Sequence, residues 1–230
     1  MEARTEIRVN PDAELHSGDR MSAEEFQRIY RLMPEDFKAE LIGGTVYVAS
    51  PVKRPHATTH PALMSVFFHY AGRTPGLETG DNGTIQLGEE SQPQPDLYLR
   101  ILPEYGGRSR TTDDEYVAGP PELVAEVAYS TRAIDFHAKK SDYATHGVLE
   151  YLVVSLRDGV VKLFDLAADK VVAPAADDLL RSRVFPGLWI DEDALLARDA
   201  SRLAAALEKG MASVEYREFR DTLAASRKVP

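Results

Sequence analysis

The chain has no cysteine. That excludes disulfides, thiolate zinc sites and a thiol nucleophile, and it fits a reducing compartment. No apolar run approaches the ~18 residues of a membrane span. The opening residues, MEARTEIRVNPDAELHSGDR, lack the apolar core of a secretion signal. The expectation is a cytoplasmic protein with no membrane partner. No G-x-G-x-x-G, Walker loop or G-x-S-x-G elbow occurs. His56 and His60 stand four apart, but HATTH lacks the glutamate of H-E-x-x-H, and Pro61 abuts the second histidine. Basic charge is short as well. Acids outnumber bases by 37 to 27, for a net charge of −10, and they are in excess both before and after residue 173. Such a balance disfavours non-specific adhesion to nucleic acid, which needs a cationic footprint.

What is present suits a globular chain. With 230 residues and 43% hydrophobic content, it can bury a core without staples. Residues 1–20 are polar and aperiodic, as in a flexible N-terminal tail. Ser22 begins S-A-E-E, an N-cap with Glu25 at the capping-box position, and Phe26, Ile29, Tyr30 and Met33 follow at helical spacing up to Pro34. Residues 38–49 predict a hairpin about Gly43-Gly44, and 57–72 a second helix. Strands are expected at 83–88 and 95–101, with a loop over 103–120. ELVAEVA (122–128) is apolar on both faces, as in a central strand. A helix over 134–146 follows, ended by Gly147. Residues 149–156 and 160–166 predict a second hairpin, turning through Arg157-Asp158-Gly159.

Residues 175–198 are mixed in character. From 199 to 226 a helix is expected, with Gly210, its weakest helix former, as the candidate break. That helix either folds back on the body or serves as a dimer-forming arm. The order is that of a mixed α/β fold rather than a regular βαβ alternation. The expected division is a tail (1–20), a domain (21–198) and a C-terminal helical extension (199–230).

The most informative feature is Glu126, a carboxylate in mid-strand. Leu123, Ala125 and Val127 share one face, and Glu122, Val124, Glu126 and Ala128 the other. Such a carboxylate needs a cation or a donor. A lysine or arginine partner, or a strand end open to solvent, would satisfy it. Asp96 begins the strand DLYLR on the face of Tyr98, where it is either a turn residue or a second strand carboxylate. Two carboxylates meeting across a sheet make a site for a hard cation such as magnesium. Asp135, Lys139 and Tyr143 are four apart and line one helix face. The Asp-Lys spacing is that of a surface ion pair, or Lys139 reaches the strand carboxylates and orients water or neutralises phosphate charge.

An acid after proline, a later strand acid and a nearby lysine resemble the PD-(D/E)xK nucleases. The ordered set is most similar to the Uma-two family of restriction-endonuclease-like proteins, common in bacteria. The matching residues are Glu40-Leu41-Ile42-Gly43-Gly44, Ser50-Pro51, His56 (or His60), Pro95-Asp96, and Pro121-Glu122-Leu123-Val124-Ala125-Glu126-Val127. The pattern D-x-x-x-K-x-x-x-Y-x-x-x-G-V-x-E-Y follows at Asp135, Lys139, Tyr143, Gly147, Val148, Glu150 and Tyr151. The similarity spans roughly residues 20–190. Two positions depart from the pattern. The turn Ala128-Tyr129-Ser130-Thr131 is shorter than the family's and lacks its proline. The lysine of E-x-K would fall at 128, where alanine stands, so the lysine either comes from the helix, as the resemblance implies, or is missing.

The resemblance implies a restriction-endonuclease-like core, a central mixed sheet flanked by helices. It further implies metal-dependent DNA endonuclease activity, with Asp96 and Glu126 holding Mg2+ or Mn2+ and Lys139 as third catalytic residue. Glu40, His56, Asp135 and Tyr143 would stand behind these or at the rim. Arg100, Arg108, Arg110, Arg132, Lys139 and Lys140 would supply a cationic rim for DNA. Cutting both strands would favour a homodimer. The alternative is a nuclease-fold protein that binds nucleic acid or a protein partner without cutting, which the acidic balance and the missing E-x-K favour.

Overall fold

The computed structural model describes residues 14–129 and 133–228. Ser130, Thr131 and Arg132 therefore lie outside the described residues, as does most of the expected tail. The part of that tail that is described is pinned. Leu15 is buried, the Gly18 N–H donates to the Val46 carbonyl at 2.8 Å, and the Val48 N–H donates to Ser17 Oγ at 2.9 Å. Residues 14–20 of the expected tail are therefore held on the body of the protein.

Helix α1 (Ala23–Tyr30) starts as its capping box dictates, with Ser22 accepting from the Glu25 N–H. Strands β1 (Ala39–Ile42) and β2 (Thr45–Val48) form the hairpin about Gly43-Gly44, both glycines in the left-handed region with φ of 53° and 73°. Helix α2 (Arg54–Arg73) begins earlier than its apolar stripe indicates. Proline in a first turn loses no intrahelical bond, so Pro55 extends the helix forward. Strand β3 (Leu77–Asp81) has the sequence LETGD, too polar to read as a strand. Then come β4 (Ile85–Gln86) and β5 (Leu97–Ile101). The expected loop over 103–120 contains a 3-10 turn at Pro103–Tyr105 and short strands β6 (Arg110–Thr111) and β7 (Val117–Ala118), which form a small sheet of order β4-β7-β6.

Strand β8 (Leu123–Ala128) is buried at every position. The next helix opens as a π-helical stretch (Ile134–Lys139) and continues as α3 (Lys140–Thr145). Strands β9 (Glu150–Ser155) and β10 (Val160–Asp165) form the second hairpin. The chain goes on through β11 (Lys170–Val172), β12 (Leu179–Arg181) and β13 (Trp189–Asp191), then α4 (Glu192–Ala197), α5 (Ala200–Met211) and α6 (Val214–Ser226).

The central sheet runs β11-β10-β9-β8-β5-β3. Only β8 and β9 are parallel, so the sheet is mixed. Leu97, Leu99, Leu123, Ala125 and Val127 form one face and pack with Leu63, Phe67 and Tyr70 of α2. Tyr98, Val124 and Ala128 point the other way, toward Tyr143 and Tyr151. The alternation read for ELVAEVA is the one observed.

The C-terminal helices fold back on the body. Leu203, Leu207, Met211 and Tyr216 belong to the same core as the sheet, so this core does not stop at residue 198. The helical break falls after Met211 rather than at Gly210. Gly210 instead sits inside α5 where a side chain would overlap the Gly187 carbonyl. Among the described residues no helix is long and apolar enough to cross a membrane.

Candidate active site

The strand register builds the site. β5 and β8 are antiparallel, with Leu97 opposite Ala125 and Tyr98 opposite Val124. Continued one residue, this register sets Asp96 opposite Glu126. The Val127 N–H donates to Asp96 Oδ2 at 2.7 Å, which ties the two strand ends together. Both acids line one cavity of about 480 Å3, with Glu40, His56, Asp135 and Lys139 also in its wall.

Each remaining side chain arrives from a different element. His56, in the first turn of α2, donates from Nε2 toward both Asp96 oxygens, at 3.0 and 3.1 Å. His60, one turn on, makes a 3.0 Å bond to the Asp96 carbonyl and lies 3.3 Å from Asp81 Oδ1. Of the two histidines, His56 is therefore the one on the Asp96 carboxylate. Lys139 ends the π-helical stretch, a wide turn often found at functional sites. Its Nζ donates to Glu126 Oε1 at 2.8 Å and to Glu40 Oε1 at 3.0 Å, and Asp135 Oδ1 lies 3.9 Å away. The surface ion pair read for Asp135 and Lys139 is thus a buried one. Tyr143 stands beneath the cavity and donates its hydroxyl to Glu126 Oε1 at 3.1 Å. Tyr151 donates to the Asp135 carbonyl.

Four carboxylates therefore crowd around one ammonium and one imidazole. Burial pushes the Glu126 carboxyl well up, and Asp96, Asp135 and Glu40 add to this against the pull of Lys139. Burial alone would lower Lys139, but Glu126, Glu40 and Asp135 override it and hold the ammonium charged. Burial also opposes ionisation of Asp96, yet the His56 bond and charge, the Val127 N–H and Lys139 bring its carboxyl below the usual range. The bond to Asp96 raises His56 despite burial, with the Asp96, Asp135 and Asp81 charges adding.

The donors suit a hard divalent cation in kind, since all are carboxylate oxygens, and a crowded buried Glu126 is short of positive charge. In arrangement, no group of three or more His, Asp or Glu among the described residues is disposed to hold a metal. Lys139 stands between Glu40 and Glu126, and Asp96 turns to His56. Two carboxylates completed by water and phosphate oxygens are nonetheless a common magnesium set. Asp96 and Glu126 are two carboxylates set opposite each other by the strand register.

The cationic rim differs from the one expected. Arg100 is buried and paired with Glu78. Arg108 donates to the Gly147 carbonyl and lies 3.5 Å from Glu122, and Lys140 pairs with Asp169. Arg110 lines a different cavity, and Arg132 lies outside the described residues. Burial and local pairing engage Arg100, Arg108 and Lys140 elsewhere. The cations at the mouth are Lys38 and Lys53, with Arg157 over Tyr129. Only Lys53 had a local signal, its place just before a helix start after Ser50-Pro51.

The model of the Uma2 family, described as "putative restriction endonuclease", matches residues 23–196. A crystal structure of a "putative nuclease belonging to DUF820" from Anabaena variabilis ATCC 29413 superposes with a TM-score of 0.53 at 14% identity. The match covers 76% of this chain and 99% of that one, a likeness of fold. No curated protein matches.

Proposed function

The chain belongs to the Uma2 family, and from that premise we propose that it is a DNA endonuclease that hydrolyses phosphodiester bonds with Mg2+ or Mn2+. The observation that carries this reading is the placement of Asp96, Glu126 and Lys139 in the wall of one cavity. Asp96 and Glu126 would hold the ion. When bound, it polarises the phosphate and lowers the pKa of a coordinated water.

The chain's own groups do the rest. The Val127 N–H and His56 fix the orientation of the Asp96 carboxylate. Tyr143 and Lys139 do the same for Glu126. Lys139 keeps its charge because Glu40 and Asp135 also face it. A fixed ammonium at the cavity wall stabilises charge developing on a phosphoryl oxygen, or positions the attacking water. Glu40 also accepts from the Gln94 N–H, which holds that carboxylate away from free rotation.

One observation favours a non-cutting relative instead: Lys139 already satisfies Glu126 and Glu40. One experiment decides between them. Supercoiled plasmid and single-stranded DNA are incubated with the protein at low salt, with Mg2+, Mn2+ or EDTA, and Glu126→Gln is run alongside. Metal-dependent cutting that the variant loses is the expected result. Cutting that the variant retains overturns the site, and DNA binding without turnover under every metal condition establishes the non-cutting reading.

A further inference from the structure

Resting on the nuclease reading of this cavity, we propose that its mouth receives an unpaired DNA strand, with a base on Tyr129 and the adjoining phosphates on Lys53 and Arg157. The argument begins with depth. The side chains of Asp96, Glu126 and Lys139 are only 13%, 6% and 8% exposed. They lie in a cavity of about 480 Å3, a size typical of small-ligand pockets. A phosphate of an intact duplex is carried on a stiff rod and reaches recessed groups poorly, because bending a short duplex is costly. An unpaired strand has no such stiffness and can lower one phosphate into the cavity.

The composition of the mouth is the second observation. Tyr129 follows β8 directly, is half-buried, and lines the cavity together with Lys53 and Lys38. Lys53 Nζ lies 5.6 Å from the centre of the Tyr129 ring, and Arg157 Cζ lies 5.0 Å from it. An aromatic ring flanked by cations is the recurring chemistry of single-strand binding, since every base has a π-face and every nucleotide a phosphate. A base stacking on the ring displaces one cation from it, and that cation moves to the neighbouring phosphate.

The third observation is charge. Among the described residues, Lys38, Lys53 and Arg157 take part in no ion pair, nor does Arg110 at another cavity, whereas Lys139, Lys140, Arg100 and Arg108 all do. In a chain of net charge −10, unpaired cations gathered at one mouth are where a polyanion is drawn.

The test measures binding without metal, apart from cutting. A labelled oligothymidine of about 15 nucleotides and the same strand annealed to its complement are titrated with the full chain in EDTA, followed by fluorescence anisotropy. The single strand binds at least about tenfold tighter than the duplex. Tyr129→Leu weakens single-strand binding about tenfold, whereas Tyr129→Phe retains it. Lys53→Ala and Arg157→Ala each lower the salt slope by about 0.7. Equal or tighter duplex binding, no binding of either probe, or a Tyr129→Leu variant that binds as the wild type does overturns the inference. A protein that binds in this way but cuts nothing keeps the inference and loses the nuclease reading. One that cuts plasmid equally well with Tyr129→Leu does the reverse.

Discussion

Lys139 Nζ and Glu126 Oε1 form a buried ion pair at 2.8 Å, and the same ammonium reaches Glu40 Oε2 at 2.8 Å. One cation therefore serves carboxylates from a strand, a hairpin and its own helix. Removing one partner of a buried pair leaves charge uncompensated, at a cost of about 3–5 kcal/mol. Lys139→Met should accordingly lower the melting temperature in EDTA by roughly 6–20 °C for a chain of this size. The freed carboxylates are then open to a divalent ion, so millimolar Mn2+ should restore part of the loss and raise the melting temperature of the variant more than that of the wild type. Thermal melts of both proteins with and without Mn2+ check this, and a variant as stable as the wild type in EDTA would refute it.

Glu126 and Asp96 should respond in opposite ways to amide substitution. The Glu126 carboxyl is pushed up by burial and by like charges, so folding disfavours its ionised form. Glu126→Gln removes that penalty while Glu40 and Asp135 still face the Lys139 ammonium, so stability in EDTA should be unchanged or higher. The Asp96 carboxyl is held low despite burial. Its ionised form therefore stabilises the fold above the ordinary aspartate pKa, and that contribution is lost as pH falls through the lowered one. Asp96→Asn should destabilise the protein at neutral pH by about 1–3 kcal/mol. Both variants should lose Mn2+ binding by calorimetry. Wild-type Mn2+ affinity in either would remove that residue from the metal site.

The strand face of Glu126 was legible because side chains alternate in a strand and its neighbours are apolar. Asp96 was legible only as a turn residue or a partner, since nothing local fixes the antiparallel register that sets it opposite Glu126. Lys139 was found at the right helix face, but its burial and its bond to Glu40 depend on a π-helical turn and on a hairpin about a hundred residues earlier. The rim was misread for a related reason. Arg100 and Arg108 look free in sequence, yet strand pairing sets Glu78 opposite Arg100, and the loop before β6 brings Arg108 to Glu122. Strand β3 escaped because an edge strand can be held by backbone bonds while its side chains stay polar.

His56 gives the protein a pH signature. Its imidazole is raised chiefly by the bond to Asp96, so the protonated form is favoured in the folded state. The stability this supplies is fully present below the unperturbed histidine pKa of about 6.5 and is lost as pH rises through the raised value. At the acid end the same pair fails as Asp96 becomes protonated. The stability difference between wild type and His56→Asn should thus be largest near about pH 5 and shrink toward about pH 9. Melts of the two proteins in EDTA across that range measure it. A difference that grows with pH would show that the pair is not an ionic one.

The last prediction concerns the C-terminal helices. Gly210 lies within α5 where a Cβ would overlap the Gly187 carbonyl, with the Trp189 ring next to it at 2.8 Å. Neither neighbour is a flexible chain end: one is backbone and the other a ring stacked under Arg181. Gly210→Ala must therefore shift α5 away from the sheet, although alanine is the better helix former. The helix propensity gained is about 1 kcal/mol, and the overpacking lost is typically 1–3 kcal/mol, so the balance is destabilising. Removing everything after residue 198 is a harsher change, because Leu203, Leu207, Met211 and Tyr216 leave the core together. That chain should lose its cooperative thermal transition rather than yield a folded monomer. If it melts cooperatively and light scattering shows half the mass of the full chain, the helices are a dimer arm after all, and their packing on the body is dispensable.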